Sequence, residues 1–250
     1  MLALLLFLVP WVDLPAAPDL LARLPASYVG NAAAPGACSG PLAAPGYGGY
    51  GVLGLAADAK TVSVVVADEA HGGRIRGCDR APRYALQSLR LPDLHKAGEL
   101  RPLERLADAA DFVRAEALTP IADLVAQRCV SRTTLRPYAS LTLLGGALTG
   151  FALDVAPSRS LVTVRLIDAR KTPAVVHVLG KVGLRTLEWC DRTDIADGHC
   201  PNPSHGEVLQ AVLAGDQLVL TFALGYADIC GQDDLTLRAF ALPPAVRRSL

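Results

Sequence analysis

Three polar stretches hold side chains able to do acid–base or metal chemistry. The first runs from Asp68 through His71 to Cys78 and Asp79. The second holds Asp191, Asp194, Asp197 and His199, with His205 just beyond Cys200. The third holds Asp228, Cys230, Asp233 and Asp234. Histidine titrates near neutral pH and suits proton transfer. Grouped carboxylates suit Ca²⁺, which takes about six to eight oxygen ligands. Asp191, Asp194 and Asp197 recur at every third position, however, and do not follow the alternate spacing of a D-x-D-x-D-G calcium loop. Cys190, His199, Cys200 and His205 are zinc-ligand types, but no C-x-x-C pair accompanies them.

Other chemistry is missing from the pattern. There is no G-x-x-x-x-G-K-S/T, no G-x-S-x-G and no H-E-x-x-H. The stretch from Gly46 to Gly51 has the bare G-x-G-x-x-G spacing, but it follows no strand and opens no helix. His177 stands among Val175, Val176 and Val178 and reads as a strand residue, and His95 has no evident partner. No Ser or Cys nucleophile pairs with a histidine by spacing. The expectation is therefore no catalytic residue, no metal ligand and no cofactor, with Ca²⁺ as the one ion the carboxylates would suit. Asp68, His71, Asp191, Asp194, Asp197, His199, His205, Asp233 and Asp234 are read as loop contacts.

Elements must position those loops, and one pattern occurs three times. Val52–Leu55, a turn at 58–60 and Thr61–Val66 are followed after a loop by Tyr84–Leu91. Phe151–Val155, a turn at 157–159 and Leu161–Leu166 are followed by Ala174–Leu179. Val208–Leu213, a turn at 215–217 and Leu218–Phe222 are followed by Leu235–Leu242. Period-two alternation and β-branched middle segments mark these as strands, so hairpins are expected over 52–66, 151–166 and 208–222. The uncharged stretch from Pro137 to Leu153 carries Gly145, Gly146 and Gly150 and reads as strands and a turn.

Repetition of this kind marks a repeat architecture. It resembles the blades of β-propellers with a D-G-K-x-L-Y-V turn and strand. Asp58-Ala59-Lys60-Thr61-Val62, Arg159-Ser160-Leu161-Val162 and Asp216-Gln217-Leu218-Val219 stand where that turn would be. Ser88–Pro92 and Ala239–Pro243 resemble the closing strand. None of the three carries the glycine after the turn aspartate, and the starts near 52, 151 and 208 are unevenly spaced. The resemblance covers about half of the chain and implies an all-β fold of propeller-like antiparallel blades. The alternative is another all-β or an α+β domain.

Between the first two copies, Leu100, Leu103, Leu106, Ala110, Val113 and Ala117 recur at three and four residues, the spacing of a helix face. Thr119-Pro120 reads as an N-cap and first helical position. A short helical insertion is expected at 100–128, with a degenerate blade as the competing reading.

The rest of the chain divides simply. Leu2–Val12 has the length of a signal-peptide apolar region, with small residues at Ala16, Ala17 and Ala26 for cleavage, but no Lys or Arg precedes it. Residues 1–25 are read as a signal-like segment, with a buried apolar element or an upstream start as alternatives. Residues 26–50, dominated by Gly, Pro, Ala and Tyr, read as a linker or a surface-laid loop, and 51–250 as one domain. The chain has six cysteines, an even number that suits disulfides in an oxidising compartment. Cys190 and Cys200 flank a polar loop with no apolar periodicity, so a cross-link between them is expected. The pairing of Cys38, Cys78, Cys129 and Cys230 stays open.

Composition sets the outer bounds. The 250 residues carry 24 Lys+Arg and 24 Asp+Glu, with 51% hydrophobic and 19% charged residues. That excludes a disordered chain and argues against nucleic acid, which demands a basic surplus. No apolar run reaches the roughly 20 residues of a spanning helix, so membrane contact is expected only through an uncleaved N-terminal segment. The expectation is a secreted or periplasmic, propeller-like protein that binds a protein or small molecule through its loops and is not an enzyme. The alternatives are a propeller-type hydrolase or lactonase with an acidic metal site, and a subunit whose ring a partner completes.

Overall fold

The structure, a computed structural model, describes residues 38–39, 51–68, 83–105, 108–133, 136–157, 161–183, 205–225 and 233–250. The described chain is mostly strand, and every pairing is antiparallel. The strands are β1 (Cys38–Ser39), β2 (Gly51–Leu55), β3 (Thr61–Asp68), β4 (Arg83–Arg90), β5 (His95–Lys96), β6 (Arg101–Leu103), β7 (Thr119–Pro120) and β8 (Val125–Thr133). They continue with β9 (Arg136–Leu144), β10 (Phe151–Pro157), β11 (Leu161–Asp168), β12 (Val175–Gly183), β13 (His205–Ala214), β14 (Gln217–Gly225) and β15 (Asp233–Ala241). Helices α1 (Ala109–Ala115) and α2 (Pro244–Arg247) are short.

Three sheets result. Sheet A has the order β1-β8-β9-β10-β11-β12, sheet B the order β5-β4-β3-β2-β7 with β6 also on β4, and sheet C the order β13-β14-β15. All three expected hairpins form, and in each the third strand joins the second. In the first turn the Asp58 carboxylate accepts the N–H groups of Lys60 (2.8 Å) and Thr61 (3.0 Å) and the Thr61 hydroxyl (2.9 Å). These bonds, the Lys60 N–H foremost, hold its pKa below the usual carboxylate value. In the third turn the chain bends through a positive φ of 62° at Gly215, a conformation glycine adopts freely. In the second, β10 ends at Pro157 and β11 starts at Leu161, and 158–160 lie outside the described residues.

Sheet C is the middle layer. Period two sends Leu218, Leu220 and Phe222 of β14 into a core shared with Phe151, Leu153 and Leu166 of sheet A. Val219 points the other way, into a core with Val52, Val62 and Val64 of sheet B. A third cluster lies on the outer side of sheet B, where Val65 and Leu86 meet Ala109 and Phe112 of α1. No closed barrel or propeller ring is present among the described residues.

The helical insertion is much shorter than the spacing predicts. Among the described residues of 100–128, only Ala109–Ala115 is α-helix. Arg101–Leu103 instead adds to β4, Thr119–Pro120 pairs with Gly54 and Leu55, and Val125 opens a nine-residue strand. Free ladder positions on β2 and β4 outweighed local helix propensity, and Pro120 sits on an edge strand where its missing N–H costs no ladder bond. The Gly/Pro-rich 26–50 stretch also supplies structure, since Cys38–Ser39 pairs with β8. The signal-like segment 1–25 lies outside the described residues. No helix among the described residues is long and apolar enough to cross a membrane.

A side chain joins sheets B and C where their strands do not. A bulge between Val208 and Gln210 re-aims β13, and Gln210 then behaves like a strand partner. Its Oε1 accepts the Val52 N–H at 2.7 Å, and its Nε2 donates to the Val52 carbonyl at 3.3 Å. Gln210→Ala leaves both backbone groups unpaired at the sheet junction. We expect it to lower unfolding free energy by about 1–3 kcal/mol, read as an earlier urea midpoint at unchanged slope. An unmoved midpoint would mean that water replaces the bridge at no cost.

Candidate functional site

The register decides which chemistry-bearing residues come together. In sheet C, His205 of β13, Gly225 of β14 and Asp233 of β15 form one cross-strand row. Glu207 is opposite Ala223 in the next row of the same face, and Asp234 is opposite Leu224 on the other face. With strands about 4.8 Å apart, the backbones of His205 and Asp233 are roughly 10 Å apart across the sheet, separated by a residue with no side chain. Gly225 has the parity of Val219, so this row belongs to the face of sheet C turned towards sheet B.

Sheet B presents a matching row. Val62 and Val64 belong to the core shared with sheet C, and Asp68 has their parity. Asp68 is directly opposite Arg83 in the strand register. The Gln210–Val52 bridge puts the two rows level. Val64 faces Val52 and lies four residues before Asp68, while Thr221 faces Gln210 and lies four before Gly225. The core between these sheets draws on the halves away from both rows: Leu55, Leu89 and Leu91 of sheet B, and Val212, Ala214 and Val219 of sheet C. Asp68, Arg83, His205, Glu207 and Asp233 therefore stand at one end of the B–C interface, which we call the near end.

The near end is also where the long connections attach. The chain leaves β3 at Asp68 and re-enters β4 at Arg83, and it leaves β14 at Gly225 and re-enters β15 at Asp233. The connection from sheet A to sheet C runs from Gly183 to His205. Sheet A has the same orientation as sheet C, because Arg170, after β11 at the far end, donates to the Ser249 hydroxyl beyond β15 at 3.2 Å. All three polar stretches thus begin and end on one side. His71, Asp191, Asp194, Asp197, His199 and the Cys190–Cys200 pair lie outside the described residues, so their mutual distances are not part of this geometry.

The far end has charge too, but it is tied down. Arg170 grips Asp168 through Nε at 2.8 Å and Nη2 at 3.0 Å, and its guanidinium lies 4.1 Å from the centre of the Phe151 ring. The Arg170 bond is the main reason that the Asp168 carboxyl ionises below its usual range. Arg247 pairs with Asp216 at 2.9 Å. Both ion pairs brace the fold. Among the described residues no group of three or more His, Cys, Asp or Glu is placed to hold a metal ion. Sequence reasoning passed over Arg83 and Glu207: only the strand register pairs Arg83 with Asp68, while the one sequence signal for Glu207 was its place two residues along from His205.

No family model, no curated protein and no solved structure matches the chain.

Proposed function

We propose that the protein is an exported or periplasmic, propeller-like binding protein whose contacts come from the loops of the near end. The observation that carries this reading is the attachment of all three polar stretches to the same ends of stacked sheets. Loops held on a rigid sheet scaffold are the usual place for recognition. The propeller-like reading draws on three antiparallel sheets stacked around shared cores, each containing a hairpin and a third strand. The even cysteine count and the apolar Leu2–Val12 run support an oxidising compartment. There a Cys190–Cys200 bond would stiffen the longest of the three connections. The ligand is a protein or a small molecule, with no nucleic acid and no resident cofactor.

The test compares two variants of the full chain as bait in periplasmic or culture-medium extract. One is the near-end triple Asp68→Ala/His205→Ala/Asp233→Ala, and the other the far-end double Asp216→Ala/Arg247→Ala. The reading expects a ligand retained by the parent and the far-end variant and lost by about tenfold or more with the near-end variant. Equal retention by all three, or loss only at the far end, overturns it. Stoichiometric metal in the purified chain would instead favour a hydrolase or lactonase with an acidic metal site.

A further inference from the structure

Sheet A ends on β1, a strand of only two residues, and its register sets Cys38 directly opposite Cys129 of β8. We infer that Cys38 and Cys129 form a disulfide that staples the Gly/Pro-rich N-terminal stretch to the edge of sheet A.

Three observations converge on this pair. Directly opposed residues of an antiparallel ladder have Cα atoms about 4.5–5.5 Å apart and share a face. That falls inside the roughly 4.4–6.8 Å window a disulfide requires. The register pairing therefore puts the two Cα atoms within the bond's reach. Second, β1 is too short to hold its place by ladder bonds alone. Its surroundings, from Gly30 through Pro35, Gly36, Gly40 and Pro41, favour no regular structure. A covalent tie supplies what the local sequence does not. Third, the row continues from Cys129 to Leu141 and then to Asp154, both of them buried. The pair thus ends a row whose next two members are shielded from solvent.

The chemistry balances through thiol–disulfide exchange. The two thiols give up two protons and two electrons, the Sγ–Sγ bond forms, and glutathione disulfide is cleaved to two glutathione thiols. The inference is independent of the proposed binding function, because β1 and β8 carry none of the near-end residues. It closes a ring containing β2 to β7, so sheet B would be tied to sheet A covalently as well as through sheet C.

The test is a peptide map of the full chain after equilibration in a glutathione redox buffer. The sample is acid-quenched, its free thiols alkylated and the chain digested without reductant. The expected result is one linked pair containing Cys38 and Cys129, lighter than the two separate peptides by two hydrogens and separated by reductant. In Cys129→Ser, Cys38 should then be recovered alkylated. Recovery of both peptides alkylated in the parent chain, or of Cys38 linked to any other cysteine, overturns the inference. Because the parent map needs no variant to fold, a poorly folding Cys129→Ser leaves the test intact.

Discussion

Phe222→Ala should lower the unfolding free energy by about 3–5 kcal/mol, the largest loss expected from any single change considered. Phe222 is among the largest fully buried side chains and stands in the core between sheets A and C. Its ring meets Phe240 edge-on, with centroids 6.4 Å apart and planes at 87°, a geometry that contributes beyond area burial. Truncation would remove that contact and open a cavity between two sheets. Neither can close in, because sheet C is held on its other side by sheet B. A urea titration followed by far-UV dichroism would read the change as a shifted midpoint. A loss below about 1 kcal/mol would mean that the A–C layer repacks freely, and the three-layer description would be wrong.

Asp168→Asn should cost about 1–3 kcal/mol near neutral pH and progressively less in acid. The buried Asp168 carboxylate takes two bonds from the Arg170 guanidinium and one from its backbone N–H, and the guanidinium also lies over Phe151 and reaches Ser249. The sign follows from the lowered pKa of the folded state. The group's stabilising contribution is fully present above the unfolded carboxylate value of about 4, and is lost as pH falls through the lower, folded value. The parent's stability should thus drop on acidification by more than the variant's, and the two curves should converge at low pH. Curves that stay parallel down to acid pH would show that this ion pair adds nothing to folding.

Much of the fold was legible because its signals were local. Turn chemistry at Asp58 and Gly215 and the period-two runs on either side located the hairpins. What escaped depended on partners remote in sequence. Thr119-Pro120 has the local appearance of a helix start, yet it completes an edge of sheet B beside Leu55. The strand from Val125 to Thr133 was concealed because its outer neighbour is Cys38–Ser39, from a stretch whose composition favours no strand. Leu100, counted as part of a helix face, is 40% exposed.

For the site, residue types were legible and juxtaposition was not. The sequence singles out Asp68, His205 and Asp233 but not their common position. That depends on a strand register, on parity across Gly225 and on the Gln210 bridge that puts two sheets level. Arg83 was passed over because an isolated arginine has no pattern until its cross-strand partner is known.

The measurement that tests the central claim most directly is a crystal structure of the full chain resolving 69–82, 184–204 and 226–232. The account predicts that all three connections rise from the same end of the stacked sheets. It also predicts that His71, Asp194, Asp197, His199, His205, Asp233 and Asp234 are spread around the rim there. Connections leaving from opposite ends would contradict the shared near end. A histidine and two of these carboxylates within about 5 Å of one another at the base of a pocket would contradict binding and establish a site built for catalysis.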